Sequence, residues 1–176
     1  MSYVPEPGDI GLVRMRGVGG RAIRVAQYLA GDGFKDYEHA FVYVGRVDDE
    51  GPSMLVEAMP GGARCVHLYT YEPWDKILWL RCPPEHRDAV AAAALALRGT
   101  PYSWADYAAV AAHRLRIPAP HLERYIEASG HLMCAQLADR AADTGGWHLF
   151  DDGRWVGDVT PGDLTRLAEQ QAGGPS

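Results

Sequence analysis

The amino-acid sequence predicts an α+β domain in which an antiparallel sheet precedes a set of helices along the chain. In the first half, short β-branched and aromatic segments alternate with Gly- and Pro-rich turns. In the second half, Ala- and Leu-rich segments show helical spacing. The length of 176 residues is typical of one domain. We expect a single domain with its core over residues 5–165 and a frayed tail over residues 166–176.

The first half contains about five predicted strands joined by short turns. Their sequences are GDIGLVRM, AFVYVG, MLVEAM, RCVHLYTY and KILWLRC, which begin at residues 8, 40, 54, 64 and 76. Turn-forming residues cluster between them in DDEGPS, PGGA and EPWD, and this short spacing favours an antiparallel sheet. Residues 21–30, RAIRVAQYLA, have the spacing of a short helix that precedes the strand with His39.

The second half contains the predicted helices. Residues 83–99 begin with two prolines and end at Gly99, which we expect in the left-handed conformation that often follows a helix. Helical spacing resumes in TPYSWADYAAVAAHRL, from residue 100, until RIPAP interrupts it. A last helix is predicted from Met133 through CAQLADRAA to Gly145.

The charge and the cysteine content argue against several function classes. A net charge of −6 is unfavourable for a surface that binds nucleic acid. The three cysteines are widely spaced, which argues against a disulfide framework and a structural zinc site. The longest apolar run is far shorter than the ~20 residues that cross a bilayer, and the N-terminus has no pattern of an export signal. We therefore expect a cytoplasmic protein, or one released by a route without a signal.

Cys134 is the strongest candidate nucleophile. It lies at the start of the last predicted helix, where unpaired backbone N–H groups and the positive end of the helix dipole favour a thiolate. From its position alone, Cys134 has the alternative of a small buried hydrophobic side chain.

His39 and Glu57 are candidates for a general base and its orienting partner. A thiol nucleophile needs an imidazole within hydrogen-bond reach and a third polar group that orients the ring. His39 opens a predicted strand, and Glu57 is a lone carboxylate in the apolar run of the next strand, so the two can lie side by side in an antiparallel pair. Glu57 can alternatively face outward from a half-exposed strand. His67, on the following strand, is an alternative third member.

The order of these residues, and several short motifs, resemble the circularly permuted branch of the NlpC/P60 papain-like cysteine peptidase and amidase superfamily. The matching segments are PGDIGLVR, HAFVYVG, VEAMPGGARCVHL, GTPYSWADY, MCAQLADRA and VTPGDL, which together span most of the chain. The resemblance implies a papain-like domain whose nucleophile helix is C-terminal to the sheet. It also implies that Cys134 attacks a carbonyl, His39 takes the thiol proton and Glu57 orients the imidazole. One departure is Ala135, where these families often have serine after the nucleophile.

The implied activity is hydrolysis of an amide or peptide bond through a thioester, without a cofactor or a metal. The implied substrates include peptidoglycan fragments, since many relatives cleave bacterial cell-wall peptides. Tyr102 matches a tyrosine of the family and is a candidate substrate-binding residue, with core packing as its alternative. Three other functions stay open: lipid acyl chemistry of the lecithin–retinol acyltransferase type, isopeptide cleavage, and a non-catalytic papain-like binding module.

Overall fold

The computed structural model describes residues 3–15, 37–46, 51–73, 76–102, 132–154 and 158–173. Its strands are β1 (Ile10–Val13), β2 (His39–Arg46), β3 (Ser53–Met59), β4 (Gly62–His67) and β5 (Leu78–Leu80). Its helices are α1 (Arg87–Ala96), α2 (Cys134–Thr144) and α3 (Pro161–Gly173). The helix predicted for residues 21–30, and the helical segment predicted after Tyr102, lie outside the described residues.

The strands form one sheet in the order β4-β3-β2-β1-β5, and each neighbouring pair is antiparallel. The sheet precedes the described helices along the chain, which confirms the predicted α+β class. Only six residues separate β2 from β3 along the chain, and only two separate β3 from β4, so these strands are neighbours both in sequence and in space. The strand β2 therefore lies at the centre of the sheet, between β1 and β3.

Successive side chains of each strand point to opposite faces of the sheet. Both faces carry a cluster of buried residues. One face packs with the helices, and its fully buried residues are Ile10, Leu12, Ala40, Val42, Val56 and Ala58. The opposite face carries a second cluster around Phe41, Tyr43, Leu55 and Trp79, which Leu68 covers from the end of β4. The central strands consequently have almost no exposed side chains, and any polar group on them needs a partner inside the protein.

The turn Pro7-Gly8-Asp9 holds β1 in place. Gly8 has a φ of 87°, which favours glycine, and its N–H donates to the carbonyl of Tyr43 at 2.8 Å. The Asp9 carboxylate is fully buried and accepts hydrogen bonds from the backbone N–H of Cys82 and the hydroxyl of Tyr3, at 2.8 Å and 2.7 Å. The turn thus connects β1 to its neighbours on both sides.

The predicted strand over residues 64–71 is correct only in its first half. The strand β4 ends at His67, and residues Leu68–Tyr71 form a 3-10 turn. Leu68 is buried against the second cluster, and Tyr71 turns toward the carboxylate of Glu57. If the strand continued to residue 71, Tyr71 would point away from that carboxylate. The contacts of Leu68 and Tyr71 therefore override the β propensity of this segment.

Helix α1 has the predicted ending. It stops at Ala96, and Gly99 has a φ of 82°, as expected for a left-handed residue after a helix. The N–H of Gly99 donates to the carbonyl of Ala63, and the N–H of Ala63 donates to the carbonyl of Thr100, both at 2.8 Å. The chain that leaves α1 is therefore bound to the start of β4.

Helix α3 extends through the segment predicted to be a frayed tail. Ala168 is fully buried in the core. The Gln171 side chain accepts a hydrogen bond from the N–H of Arg81 at 2.7 Å and donates one to its carbonyl at 3.0 Å. The prediction is therefore wrong for residues 166–173, because this last turn is bound to the chain that follows β5.

Candidate active site

The N-terminus of α2 positions Cys134. The helix begins at Cys134, as the sequence predicts to within one residue, and the preceding residue, Met133, is extended. The side chain of Gln136 accepts a hydrogen bond from the N–H of Met133 at 2.9 Å and so caps the helix. Leu137 is completely buried and packs this helix into the core. The thiol thus has a fixed position at the positive end of the helix dipole.

His39 is the first residue of β2 and is paired with Val13 of β1. Its side chain is hydrogen-bonded to Cys134 on one side and to Glu57 on the other. The bond to Glu57 uses Nε2, which leaves Nδ1 as the ring nitrogen for the thiol. The imidazole therefore lies between a thiol and a carboxylate, as a general base requires.

Glu57 on β3 contacts His39 on the neighbouring strand β2 along a diagonal of the strand pair. Directly opposite Glu57 in the register is Phe41, two residues after His39 and on the same face of the sheet. Diagonal neighbours are within reach of long side chains, and Glu57 Oε2 lies 2.8 Å from His39 Nε2. The side-by-side placement predicted from the sequence is therefore a diagonal one.

All three residues are almost completely buried: Glu57 is 0%, His39 1% and Cys134 1% exposed. Glu57 faces inward, so the alternative of an outward-facing strand residue is wrong. In so dry a position, charges interact more strongly than in water, and an unpaired carboxylate would be costly. The carboxylate is accordingly paired at both oxygens.

Arg64 and Tyr71 are the other partners of Glu57. Arg64, opposite Glu57 on β4, donates to Oε1 from Nε at 2.9 Å and from Nη2 at 2.7 Å. The hydroxyl of Tyr71 donates to Oε2, the same oxygen that His39 contacts. Sequence reasoning missed both residues. Arg64 could have been found from the sequence, because it lies on the strand that follows Glu57 after a tight Gly-Gly turn. The sequence held no such signal for Tyr71, because its position depends on the 3-10 turn.

The electrostatics of the site favour charged forms of Glu57 and His39. Burial alone would raise the pKa of Glu57, but the hydrogen bonds and charge of His39, together with Tyr71 and Arg64, lower it to about 2. Burial alone would lower the pKa of His39, but the charge and hydrogen bond of Cys134, followed by those of Glu57, raise it to about 9. At neutral pH this environment favours a protonated His39 beside an ionised Glu57.

His67 is not at the site. It is paired with Met54, at a different point of the β3–β4 register from the Glu57–Arg64 pair. Its ring stacks on Tyr69, with centroids 5.0 Å apart, and its Nδ1 has no hydrogen-bond partner among the described residues. The structure therefore brings Glu57, and not His67, against His39.

Tyr102 is half-buried and packs against the core cluster on the helix face of the sheet. The neighbouring Pro101 carbonyl accepts a hydrogen bond from the N–H of Leu132 at 3.1 Å, two residues before the nucleophile candidate. This contact places the chain at Tyr102 near the start of α2. Its predicted contact with a substrate stays a prediction.

A search against models of known protein families found no match to this chain, and a search of curated proteins found none either. Within the described ranges, no group of three or more His, Cys, Asp or Glu side chains is arranged to hold a metal ion. The helices in those same ranges include none with both the length and the apolar character needed to cross a bilayer.

Proposed function

We propose that this chain is a cysteine-dependent hydrolase that cleaves an amide or peptide bond through a thioester intermediate. The observation that carries the proposal is the continuous hydrogen-bonded series Cys134–His39–Glu57, buried at the start of a helix. A thiol, a base and an orienting carboxylate in this order are the groups that covalent acyl transfer requires. The proposed family is the circularly permuted branch of NlpC/P60, on the motifs quoted above.

In the proposed first step, the Cys134 thiolate attacks the carbonyl carbon of the substrate. The backbone N–H of Cys134, with a neighbouring donor, stabilises the negative charge that develops on the carbonyl oxygen. The His39 imidazolium then gives its proton to the leaving nitrogen, so that the amine departs and the acyl group stays on sulfur.

In the second step, neutral His39 takes a proton from water, and the resulting hydroxide attacks the thioester. The acid product leaves, and Cys134 and His39 return to their initial state. Glu57 holds the ring through Nε2 during both steps, so Nδ1 remains directed at the reacting atoms.

Proposed substrates are peptides or amides, including peptidoglycan fragments. Lipid acyl chemistry is less well supported, because relatives of the lecithin–retinol acyltransferase type commonly pair the base with a second histidine, whereas here His39 is paired with Glu57. A non-catalytic module is also less well supported, since it would retain a fully buried carboxylate and imidazole without chemical use.

The test is capture of an acyl-enzyme. The full chain is incubated with a panel of peptide amides, peptidoglycan fragments, isopeptides and acyl esters, and the mass of the Cys134 peptide is measured. We expect amide substrates to add their acyl group to Cys134 and to be hydrolysed. Cys134→Ala should abolish both, and Cys65→Ala, a change at a thiol outside the site, should not. Undiminished hydrolysis by a folded Cys134→Ala variant would contradict the proposal.

A further inference from the structure

The carboxylate of Glu57 has more partners than a simple orienting group needs. Oε2 accepts hydrogen bonds from His39 and from Tyr71, and Oε1 accepts two from Arg64. With Oε1 occupied by the guanidinium, Glu57 presents only Oε2 to the imidazole. The rotation of the carboxylate is therefore fixed from two directions.

Tyr71 reaches Oε2 from a constrained position. Its ring stacks on Phe41, with centroids 5.3 Å apart and planes 10° apart, and lies 5.8 Å from the ring of His39. Burial and the nearby Glu57 carboxylate raise the pKa of Tyr71 well above its ordinary value, so the phenol stays neutral and can only donate toward the carboxylate. Tyr71 thus orients the Glu57 carboxylate through a hydrogen bond and adds no charge to the site.

Arg64 contributes charge. Its side chain is 53% exposed, but its guanidinium makes a two-point contact with a carboxylate that is 0% exposed. The single negative charge of Glu57 is therefore shared between two cations, Arg64 on β4 and protonated His39 on β2. Less of that charge is available to hold the proton on His39 than if Glu57 faced the imidazole alone.

We propose that Arg64 and Tyr71 are positioning residues for the Cys134–His39 pair, with Arg64 limiting how strongly Glu57 holds the imidazole proton and Tyr71 fixing the Glu57 oxygen that contacts the ring. This inference rests on the proposed function, because it concerns the same thiol and base. Neither residue touches the reacting atoms in the proposed mechanism. Both act through Glu57.

The charged and titratable groups around His39 come from several elements. Among the described residues they are Glu57 on β3, Tyr71 in the 3-10 turn, Arg64 on β4 and Cys134 at the start of α2. Glu38 precedes His39 in the chain, but its carboxylate accepts a hydrogen bond from the N–H of Met15 at 2.8 Å. Removing one positive charge from this set makes every proton in it harder to remove. Arg64→Gln should therefore move the titration of His39 to higher pH.

The experiment follows His39 and Cys134 separately. The ring nitrogens of His39 are followed by NMR in the full chain labelled with ¹⁵N-histidine, and the rate of Cys134 alkylation by iodoacetamide is followed across the same pH range by mass analysis of its peptide. For Arg64→Gln we expect both profiles to move to higher pH, that of His39 by about one pH unit. Arg64→Lys keeps the charge, so its profiles should lie close to those of the wild type and show little of this shift. Arg140→Gln removes an exposed arginine from α2 and is the matched control, expected to leave both profiles unchanged.

Tyr71→Phe tests the second half of the proposal. It keeps the ring that stacks on Phe41 and removes only the hydroxyl. We expect the proton on His39 Nε2 to exchange with water several-fold faster, because the accepting oxygen is no longer held, while the titration of His39 moves much less than in Arg64→Gln. Tyr69→Phe is the control, since Tyr69 lies on the same turn and is 61% exposed. If Arg64→Gln does not fold, the exchange rate of the His39 Nε2 proton in Tyr71→Phe tests the proposal by itself.

The outcomes separate this inference from the proposed function. If wild-type Cys134 is alkylated like an ordinary thiol and His39 titrates near its ordinary 6.5, both fail together. If the wild type has the coupled pair but Arg64→Gln and Tyr71→Phe behave like their controls, the inference fails and the proposed function stands.

Discussion

Replacing Glu57 with glutamine removes one buried charge while keeping the shape of the side chain. The amide leaves the guanidinium of Arg64 and the imidazole of His39 without their shared anion, and its NH₂ group can accept from neither. Breaking a buried ion pair by changing one partner is strongly destabilising, because the other charge stays buried without compensation. We therefore expect a less stable protein whose stability responds differently to acid.

The size of the effect follows from the pKa of Glu57, which is about 2 in the folded chain against an ordinary value of 4.5. Since one pKa unit corresponds to about 1.4 kcal/mol, ionised Glu57 contributes about 3 kcal/mol to the free energy of unfolding. The folded pKa is the lower one, so this contribution is fully present above the ordinary value and is lost as the pH falls toward about 2.

The assay is urea unfolding followed by tryptophan fluorescence, at about pH 5.5 and about pH 3. The higher pH is chosen below the ordinary pKa of His39, so that this side chain is largely protonated in both the folded and the unfolded chain at either pH. We expect the difference in unfolding free energy between wild type and Glu57→Gln to be about 3 kcal/mol at the higher pH and to shrink by about 2 kcal/mol at the lower.

Asp152 provides a matched control. Its pKa is also lowered to about 2, chiefly by a hydrogen bond from Arg154, but the carboxylate lies at the surface. Exposed ion pairs contribute little to stability, so Asp152→Asn should leave the acid dependence close to that of the wild type. If wild type and Glu57→Gln lose stability in parallel between the two pH values, Glu57 is not held ionised by its partners and the electrostatic account of the site is wrong.

Three further substitutions test how the fold supports the site. A Cβ at Gly11 would lie 2.2 Å from the ring of Phe41, so Gly11→Ala should cost about 1–3 kcal/mol in urea unfolding; an unchanged midpoint would contradict this packing. A Cβ at Gly145 would lie 2.5 Å from the side chain of Val90, so Gly145→Ala should lower the thermal midpoint, and an equal or higher midpoint would show that α1 and α2 are not so close. Leu137→Ala should cost about 2–5 kcal/mol, because this core leucine is completely buried; a loss below 1 kcal/mol would place it at the surface.

The sequence-based predictions of strands and helices were correct where they depended on residues close together in the sequence. Short β-branched and aromatic segments between turn-forming residues predicted the five strands of the described residues. The two prolines and Gly99 marked the two ends of the helix that contains α1. Two of the errors came from segments whose structure is decided by distant contacts. Residues 68–71 left the strand because Leu68 and Tyr71 have partners on the sheet, and residues 166–173 stayed helical because of Ala168 and Gln171.

The sequence by itself determined the strand and helix segments, the helix-start position of Cys134, and the presence of an imidazole and a carboxylate on consecutive strands. These features follow from residue type and short-range periodicity, which can be read directly from the sequence. Only the tertiary structure decided that Glu57 meets His39 diagonally, that Arg64 and Tyr71 occupy the rest of the carboxylate, and that His67 lies elsewhere. The physical reason is that a buried charge must find its partners across strand registers and turns, and those are set by the packing of the whole domain.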